Sequence, residues 1–318
     1  MVLVYSDNKN MTIEMLSKAT EIAKEANKKI TAVIIGKADD ALAKEYIAYG
    51  ADQVFIAETG LSDFKAEEYA DILSKIVDET KAETIFIGSN KNGKELSARL
   101  GGLLNAGCVV DSNNVYMKGG KLLAERVVYS GSAIAVEQFN SKPAIVTVPS
   151  KAFDPIKKDD SRKGDIIKKK IDFEKSSSKI VNVKELQTGG VNVEDAEIIV
   201  SCGRGVKDKG DIKIFQDLAD VLKGKTVGCS RPIAADMKWL PEDHWIGLSG
   251  HKVKPKLYIA AGISGQIQHI AGMRDSGVVV AINKDPDALI FKSADYGIVG
   301  DLYDVLPKLT AAVKEKMG

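Results

Sequence analysis

The residues best suited to chemistry lie in the second half of the chain, and their types bind rather than react. Cys202-Gly203-Arg204-Gly205 follows an apolar run at Glu197–Ser201. Glycines there let backbone approach a ligand, and Arg204 offers a planar cation suited to phosphate. The dinucleotide fingerprint would need a third glycine at position 208, where the chain has Asp208. The run reads equally as a tight strand-to-helix turn. Ser230-Arg231-Pro232 follows the run Thr226–Cys229. Arg231 has no acid beside it, so a buried position is expected, against an anion or a π-system, or in a salt bridge to a distant carboxylate.

The most informative stretch is Gly262-Ile263-Ser264-Gly265-Gln266-Ile267-Gln268-His269-Ile270-Ala271-Gly272-Met273, at the end of the run Lys256–Ile263. A strand ends, small residues turn the chain, and a helix is expected from near Gly265. Free N–H groups and partial positive charge at a helix start suit a pyrophosphate. Gln268 and His269 are polar among Ile267, Ile270 and Met273, and buried polar groups find partners. A helix cap and a core histidine satisfied from within is the alternative. Asn283-Lys284-Asp285 and Gly300-Asp301-Leu302 close the runs Val278–Ile282 and Tyr296–Val299. Asn and Asp at such ends bind ribose or adenine edges, and equally serve as turn residues and N-caps. Five successive strands, each followed by a small or ligand-competent residue, describe a nucleotide laid across the carboxyl edge of a parallel sheet.

The elements that position these residues follow from periodicity. In the first half, Val2–Tyr5, Ile30–Ile35, Val54–Ile56 and Thr84–Gly88 read as strands. Ile13–Ala26, Ala41–Tyr49 and Ala66–Glu79, with apolar residues at every third or fourth place, read as helices between them. Lys94 and Glu95 read as surface residues opening a further helix. Strand–helix alternation means a parallel sheet covered on both faces. After Gly101 the pattern becomes four strands with tight turns, Val109–Tyr116, Lys121–Tyr129, Ser132–Gln138 and Ala144–Val148, with a hairpin at Gly119-Gly120. Lys151 to Lys179 is polar and basic, and reads as a solvated edge strand plus linker. A second α/β pattern begins near Glu194, with helices at Ile214–Leu222 and Leu302–Lys316. The fold class is therefore α/β in two domains, 1–190 and 191–318, divided at Thr188-Gly189-Gly190. The first is a nucleotide-binding-like parallel sheet with an added antiparallel patch, the second a doubly wound parallel sheet.

Composition excludes several classes. The 318 residues suit two cores of ordinary size. Lys+Arg 45 against Asp+Glu 44 argues against a protein that coats nucleic acid or an anionic membrane. The cysteines, Cys108, Cys202 and Cys229, form no Cys-x-x-Cys, and the histidines, His244, His251 and His269, have no zincin spacing. No metal site is expected. Apolar runs fall far short of the ~20 residues of a membrane span, and the start has no secretory pattern, so direct membrane insertion is not expected and a cytoplasmic location is.

The second half resembles the alpha subunit of electron-transfer flavoprotein. Leu257 through Met273 matches that family's signature almost throughout. Gly203-Arg204-Gly205, Ser230-Arg231, Ala281-Ile282-Asn283-Lys284-Asp285 and Ala294-Asp295-Tyr296-Gly297-Ile298-Val299 match in order and spacing. In the first half, Gly88-Ser89-Asn90-Lys91-Asn92-Gly93-Lys94-Glu95-Leu96 and Lys142-Pro143-Ala144-Ile145-Val146-Thr147-Val148 resemble it too.

The resemblance implies FAD held by the C-terminal domain and a heterodimer with an electron-transfer flavoprotein beta subunit, the N-terminal domain serving as scaffold and interface. It implies electron transport from flavin dehydrogenases, such as the acyl-CoA dehydrogenases of fatty acid oxidation, to a quinone reductase or other acceptor. Such a chain is a carrier rather than an enzyme by itself. Two alternatives are a bifurcating complex that oxidises NADH and reduces ferredoxin, and an NAD-binding module without flavin. Carried over, Arg204, Asn283, Asp301 and Leu302 fall on the ADP half of FAD, and Ser264, Gly265, Gln266, Ile267 and Gln268 on the pyrophosphate and ribityl chain. Arg231, Ser249 and His269 fall around the isoalloxazine, and Ser230, Gly247 and Leu248 are also expected to bind the cofactor. Ser249 stands where the family commonly has threonine and keeps a hydroxyl for flavin N5. Leu248 replaces a glutamine and with it a polar contact; Gly300 replaces an alanine. Reduced flavin carries negative charge at its N1–C2=O edge, where His269 would serve as donor or cation and Arg231 as a nearby charge. Unit charges about 4 Å apart interact by ~4 kcal/mol at an effective dielectric near 20. About 1.4 kcal/mol is ~59 mV for one electron, so a third of that attraction moves a potential by tens of millivolts.

Overall fold

The computed structural model describes residues 1–61, 63–183, 193–224 and 226–317. The chain divides into two compact units, Met1–Asn182 and Val183–Gly318. The division proposed at Thr188-Gly189-Gly190 lies outside the described residues.

The first unit is built on a seven-stranded parallel sheet. Its strands are β1 (Val2–Tyr5), β2 (Ile30–Gly36), β3 (Gln53–Glu58), β4 (Thr84–Gly88), β5 (Cys108–Val109), β9 (Ala144–Val148) and β10 (Asp165–Lys170), in the order β10-β3-β2-β1-β4-β9-β5. Helices α1 (Lys9–Ala26) and α2 (Asp40–Ala48) cover one face; α3 (Ala66–Thr80) and α4 (Lys91–Leu104) cover the other. Burial from both sides explains why β1 and β9 are apolar at nearly every position rather than alternating. The boundaries of α1 and α4 have local causes. Asn8 and Asn90 accept from the backbone N–H three residues on, and Asn27 and Asn105 close α1 and α4 in the left-handed region at φ 52° and 49°.

The antiparallel patch is a separate sheet of β6 (Ser112–Lys118), β7 (Lys121–Val128) and β8 (Ala133–Gln138). Gly119 and Gly120, at φ 58° and 73°, make the β6–β7 hairpin turn. The single strand expected over Val109–Tyr116 is instead two strands in different sheets. The chain breaks at Asp111, whose φ of 58° ends β5 before β6 begins. The solvated edge strand expected between Lys151 and Lys179 is β10, paired parallel to β3. Its Lys168 and Lys169 meet Asp40 and Glu79 at 2.7 Å. Charge on an edge discourages pairing with another chain.

The second unit is a five-stranded, wholly parallel sheet of β11 (Ile198–Cys202), β12 (Val227–Cys229), β13 (Leu257–Ala261), β14 (Val278–Asn283) and β15 (Tyr296–Val299), in the order β12-β11-β13-β14-β15. One face buries Phe215 and Leu218 of α5 (Ile212–Val221) with Leu302 and Leu306 of α7 (Leu302–Met317). The other buries Tyr258, Met273 and Ile290. No regular α-helix joins β12 to β13. Short helical turns and a loop fill that stretch, and Trp245 and Ile246 make isolated bridges to Cys229 and His251.

Candidate functional site

Strand order decides where a ligand can enter. From β11 the chain first moves outward to β12, then returns to the other side of β11 for β13. The loops after β11 and β13 therefore leave the sheet in opposite directions, and a crevice opens between them at the carboxyl edge. Its floor is glycine. A Cβ on Gly203 would stand 2.2 Å from the Gly262 carbonyl oxygen, and one on Gly205 2.8 Å from Gly262 Cα. Gly203 and Gly205 N–H donate to the Ala261 and Gly262 carbonyls, so the two loops are joined backbone to backbone. Gly265 has φ of 81°, and a Cβ there would lie 2.1 Å from the Ile290 amide nitrogen. Only glycine permits this approach.

Around that floor stand the residues selected from the sequence. Arg204 is exposed on the β11 loop. Asn283 ends β14 and donates from Nδ2 to the Ile263 carbonyl at 2.9 Å, tying the next strand to the β13 loop. Asp301 opens α7: its carboxylate accepts from Tyr303 N–H at 3.0 Å, and Leu302 beside it is buried. Ser264 is exposed, and its carbonyl accepts from Ile290 N–H. These positions bring Arg204, Ser264, Asn283 and Asp301 to the same sheet edge.

The second cluster surrounds helix α6 (Ile267–Met273). It starts at Ile267 rather than near Gly265, and the loop holding Gly265 stays extended enough to bond Ile290. Ile267, Gln266 and Gln268 are exposed, so the expected polar pair in an apolar setting is one residue, His269, which is buried. The loop 246–251 folds on itself, with Gly247 N–H donating to the His251 carbonyl and Gly250 N–H to the Gly247 carbonyl. Leu248 N–H donates to the Gln268 carbonyl at 2.7 Å, which fixes the loop against α6. Buried Gly247 meets Gly272 so closely that a Cβ on Gly272 would come within 2.4 Å of Gly247 nitrogen. Leu248 and Ser249 are exposed at the loop tip. Ser230 is buried, and its N–H donates to the Cys202 carbonyl. Arg231, expected to be buried, is exposed; its guanidinium lies over the Trp245 ring at 5.8 Å. The turn Pro232–Asp236 begins immediately after it, which carries the side chain outward rather than into the sheet. Of the partners expected for it, the π-system is the one it meets.

His269 is the electrostatic centre of this cluster. Burial pushes its imidazole pKa down to about 4, with the Ile246 carbonyl opposing that only weakly. The ring is neutral at pH 7, so of the two roles expected, donor or cation, the neutral donor is the one the unliganded chain supports. Nε2 lies 2.9 Å from the Tyr258 hydroxyl; Nδ1 is buried and makes no hydrogen bond. Burial also drives Cys202 up to about 12 and Cys229 still higher, so neither thiol is a nucleophile near neutral pH. Among the described residues no cluster of His, Cys, Asp and Glu could hold a metal ion, and no helix is long and apolar enough to cross a membrane.

Sequence reasoning missed three residues. Tyr258 touches His269. Trp245 carries Arg231. The Tyr303 hydroxyl donates to Asp211 at 2.5 Å and accepts from Lys207 N–H at 2.7 Å, tying the β11 loop to the start of α7. Only Tyr258 left a signal: a tyrosine within a buried central strand must find a partner for its hydroxyl.

The arrangement fits a flavin nucleotide on two counts. The carboxyl-edge loops pack backbone to backbone through glycines where a Cβ would clash, and on the helix that follows them a buried imidazole nitrogen makes no hydrogen bond. Comparison with known proteins agrees. Residues 2–173 match the model of the electron transfer flavoprotein domain, and residues 192–274 that of the electron transfer flavoprotein FAD-binding domain. The electron transfer flavoprotein subunit alpha of Thermoanaerobacterium thermosaccharolyticum is 40% identical over 311 residues, 96% of this chain and 94% of that one. That of Bacillus subtilis is 38% identical over 96% of this chain and 94% of its own length. Protein FixB of Salmonella typhimurium is 34% identical over 98% of this chain and 97% of that one. The chain belongs to the electron transfer flavoprotein alpha-subunit family, and its cofactor domain is that family's FAD-binding domain.

Proposed function

We propose that the chain is the FAD-carrying subunit of a heterodimeric electron carrier, completed by a beta subunit, that takes electrons from soluble flavin dehydrogenases and delivers them to a quinone reductase or another acceptor. The observation that carries this reading is the glycine-floored crevice at the β11/β13 switch point, flanked by buried His269. Bound there, FAD would supply reversible electron uptake, which no side chain of this chain offers.

The chain's own residues bind and tune. Arg204, Asn283, Asp301 and Leu302 are assigned to the ADP half. Ser264, Gly265, Gln266, Ile267 and Gln268 are assigned to the pyrophosphate and ribityl chain. Ser230, Arg231, Gly247, Leu248, Ser249 and His269 are assigned to the isoalloxazine. Arg204 suits a phosphate because its guanidinium is a rigid, permanently charged fork. His269 offers a neutral N–H donor to an edge that becomes electron-rich, and Arg231, held by Trp245, adds positive charge from a solvated position. Leu248 at the loop tip presents hydrocarbon to the site and leaves that side of the ring without a polar contact.

The test is flavin stoichiometry after co-expression with an electron-transfer flavoprotein beta subunit. One FAD per heterodimer, lost on truncation at residue 190, is the expected result. A colourless complex after reconstitution with FAD would sink the reading. Two FAD per heterodimer would assign the complex to the bifurcating class instead.

A further inference from the structure

Tyr258 is the second residue of β13 and is wholly buried. Its hydroxyl is 2.9 Å from His269 Nε2, with the two rings tilted 52° and their centroids 6.2 Å apart. Burial holds the phenol far above its ordinary pKa, so it is a neutral O–H at any physiological pH. The imidazole is neutral as well. Each group therefore brings one proton, and the question is which nitrogen of His269 carries its own.

Two arrangements are possible, and they differ in what they leave unmet. With the imidazole proton on Nε2, the ring donates to the phenol oxygen. The phenol proton can then turn only to Ser201 Oγ, the other polar atom beside the phenol. Nδ1 becomes a bare buried acceptor. With the proton on Nδ1, the phenol donates to Nε2 and its hydrogen bond is made. Nδ1–H then has the Ile246 carbonyl beside the ring but makes no full hydrogen bond, whereas an unprotonated Nδ1 would face that oxygen with a lone pair. An unmet buried polar group costs about 1–3 kcal/mol, so the arrangement with fewer of them is preferred.

We propose that Tyr258 is the positioning residue of His269: by donating to Nε2 it confines the imidazole proton to Nδ1 and reserves a neutral N–H donor for the electron-rich edge of the cofactor. The inference rests on the FAD reading of this site. It assigns to the protein interior, rather than to the ligand, the choice of tautomer at the cofactor's side.

The experiment uses the full chain with 15N-labelled histidine, unliganded and in its flavin-loaded heterodimer, read by long-range 1H–15N correlation at pH 7.5. His269 is expected as one tautomer, protonated at Nδ1, in both states. Tyr258→Phe keeps the ring and removes the donor. It should bring in the Nε2-protonated form and weaken stabilisation of one-electron-reduced flavin three- to tenfold, ~30 to 59 mV. A wild-type His269 protonated at Nε2 overturns the proposal without recourse to any variant. So does a folded Tyr258→Phe protein with unchanged tautomer and potential, even if its melting temperature falls, since that is what a purely structural tyrosine would do. A wild-type heterodimer that holds no flavin sinks the cofactor reading and the donor's target with it, whereas an Nε2-protonated His269 with flavin bound sinks the Tyr258 assignment alone.

Discussion

Both units present a parallel sheet with a switch point, but the polar side chains beside it are arranged differently. In the first unit the reversal falls between β1 and β4, and there too glycine allows close approach: a Cβ on Gly93 would lie 1.8 Å from the Gly88 carbonyl oxygen. The difference is in the side chains above. Asp7 accepts from Asn90 and Asn92 at 2.5 and 2.7 Å, and Asn90 in turn caps α4 through Gly93 N–H. Lys94, read from the sequence as a surface residue, is half-buried and pairs with Asp111 at 2.9 Å. Ser89 donates to the same carboxylate. The chain's own carboxylates sit where an anion would bind. At the second switch point the floor is similar but its polar groups are not mutually saturated, and His269 Nδ1 has no partner. Topology thus creates a crevice in each unit, and local side-chain chemistry decides whether it is filled from within or from without.

The comparison can be broken in four places. The largest effect is expected from Gly203→Ala, whose Cβ meets backbone rather than a flexible side chain. A loss of about 3 kcal/mol or more in denaturant unfolding of the second unit should accompany loss of bound flavin. Retained flavin with native stability would show that the crevice floor is not the binding surface.

Next comes the pH dependence of stability without flavin. The His269 pKa is lowered in the fold, so the unfolded chain binds the proton first. Stability is present in full above the unfolded value near 6.5 and falls as pH drops from there towards about 4. The loss should be about 2–3 kcal/mol, and replacement by Gln should flatten this part of the profile. Superimposable profiles for the two proteins would mean that the imidazole is not held neutral.

Asp7→Ala tests the closed site. It removes the acceptor shared by Asn90 and Asn92 and should cost the first unit about 1 kcal/mol with flavin content unchanged. Altered flavin content would show that the two switch points are not independent. The smallest expected effect is that of Arg231→Ala, which should lower the one-electron potential by about 20–60 mV; its charge is solvated and therefore screened. Unchanged potentials in redox titration would remove Arg231 from the tuning set.

The pattern of success with sequence follows the range of the forces involved. Strand and helix identities were readable because burial periodicity and Asn or Gly punctuation act within a few residues. Val2–Tyr5, Thr84–Gly88, Ala144–Val148 and Tyr296–Val299 agree residue for residue with the structure. The split at Asp111 was not readable, since a non-glycine residue at positive φ is held there by Ser89, Lys94 and Thr147, all distant in sequence. Arg231 was misplaced for the same reason: whether an arginine goes inward depends on the Trp245 face that meets it, fourteen residues on.

By itself the sequence determined the α/β class and the family, because these depend on period and motif. Tertiary structure decided which switch point is bridged by the chain's own polar side chains and which nitrogen of His269 makes no hydrogen bond. Both depend on atoms brought together by strand order, and a hydrogen bond is won or lost within a few tenths of an ångström that no local pattern encodes.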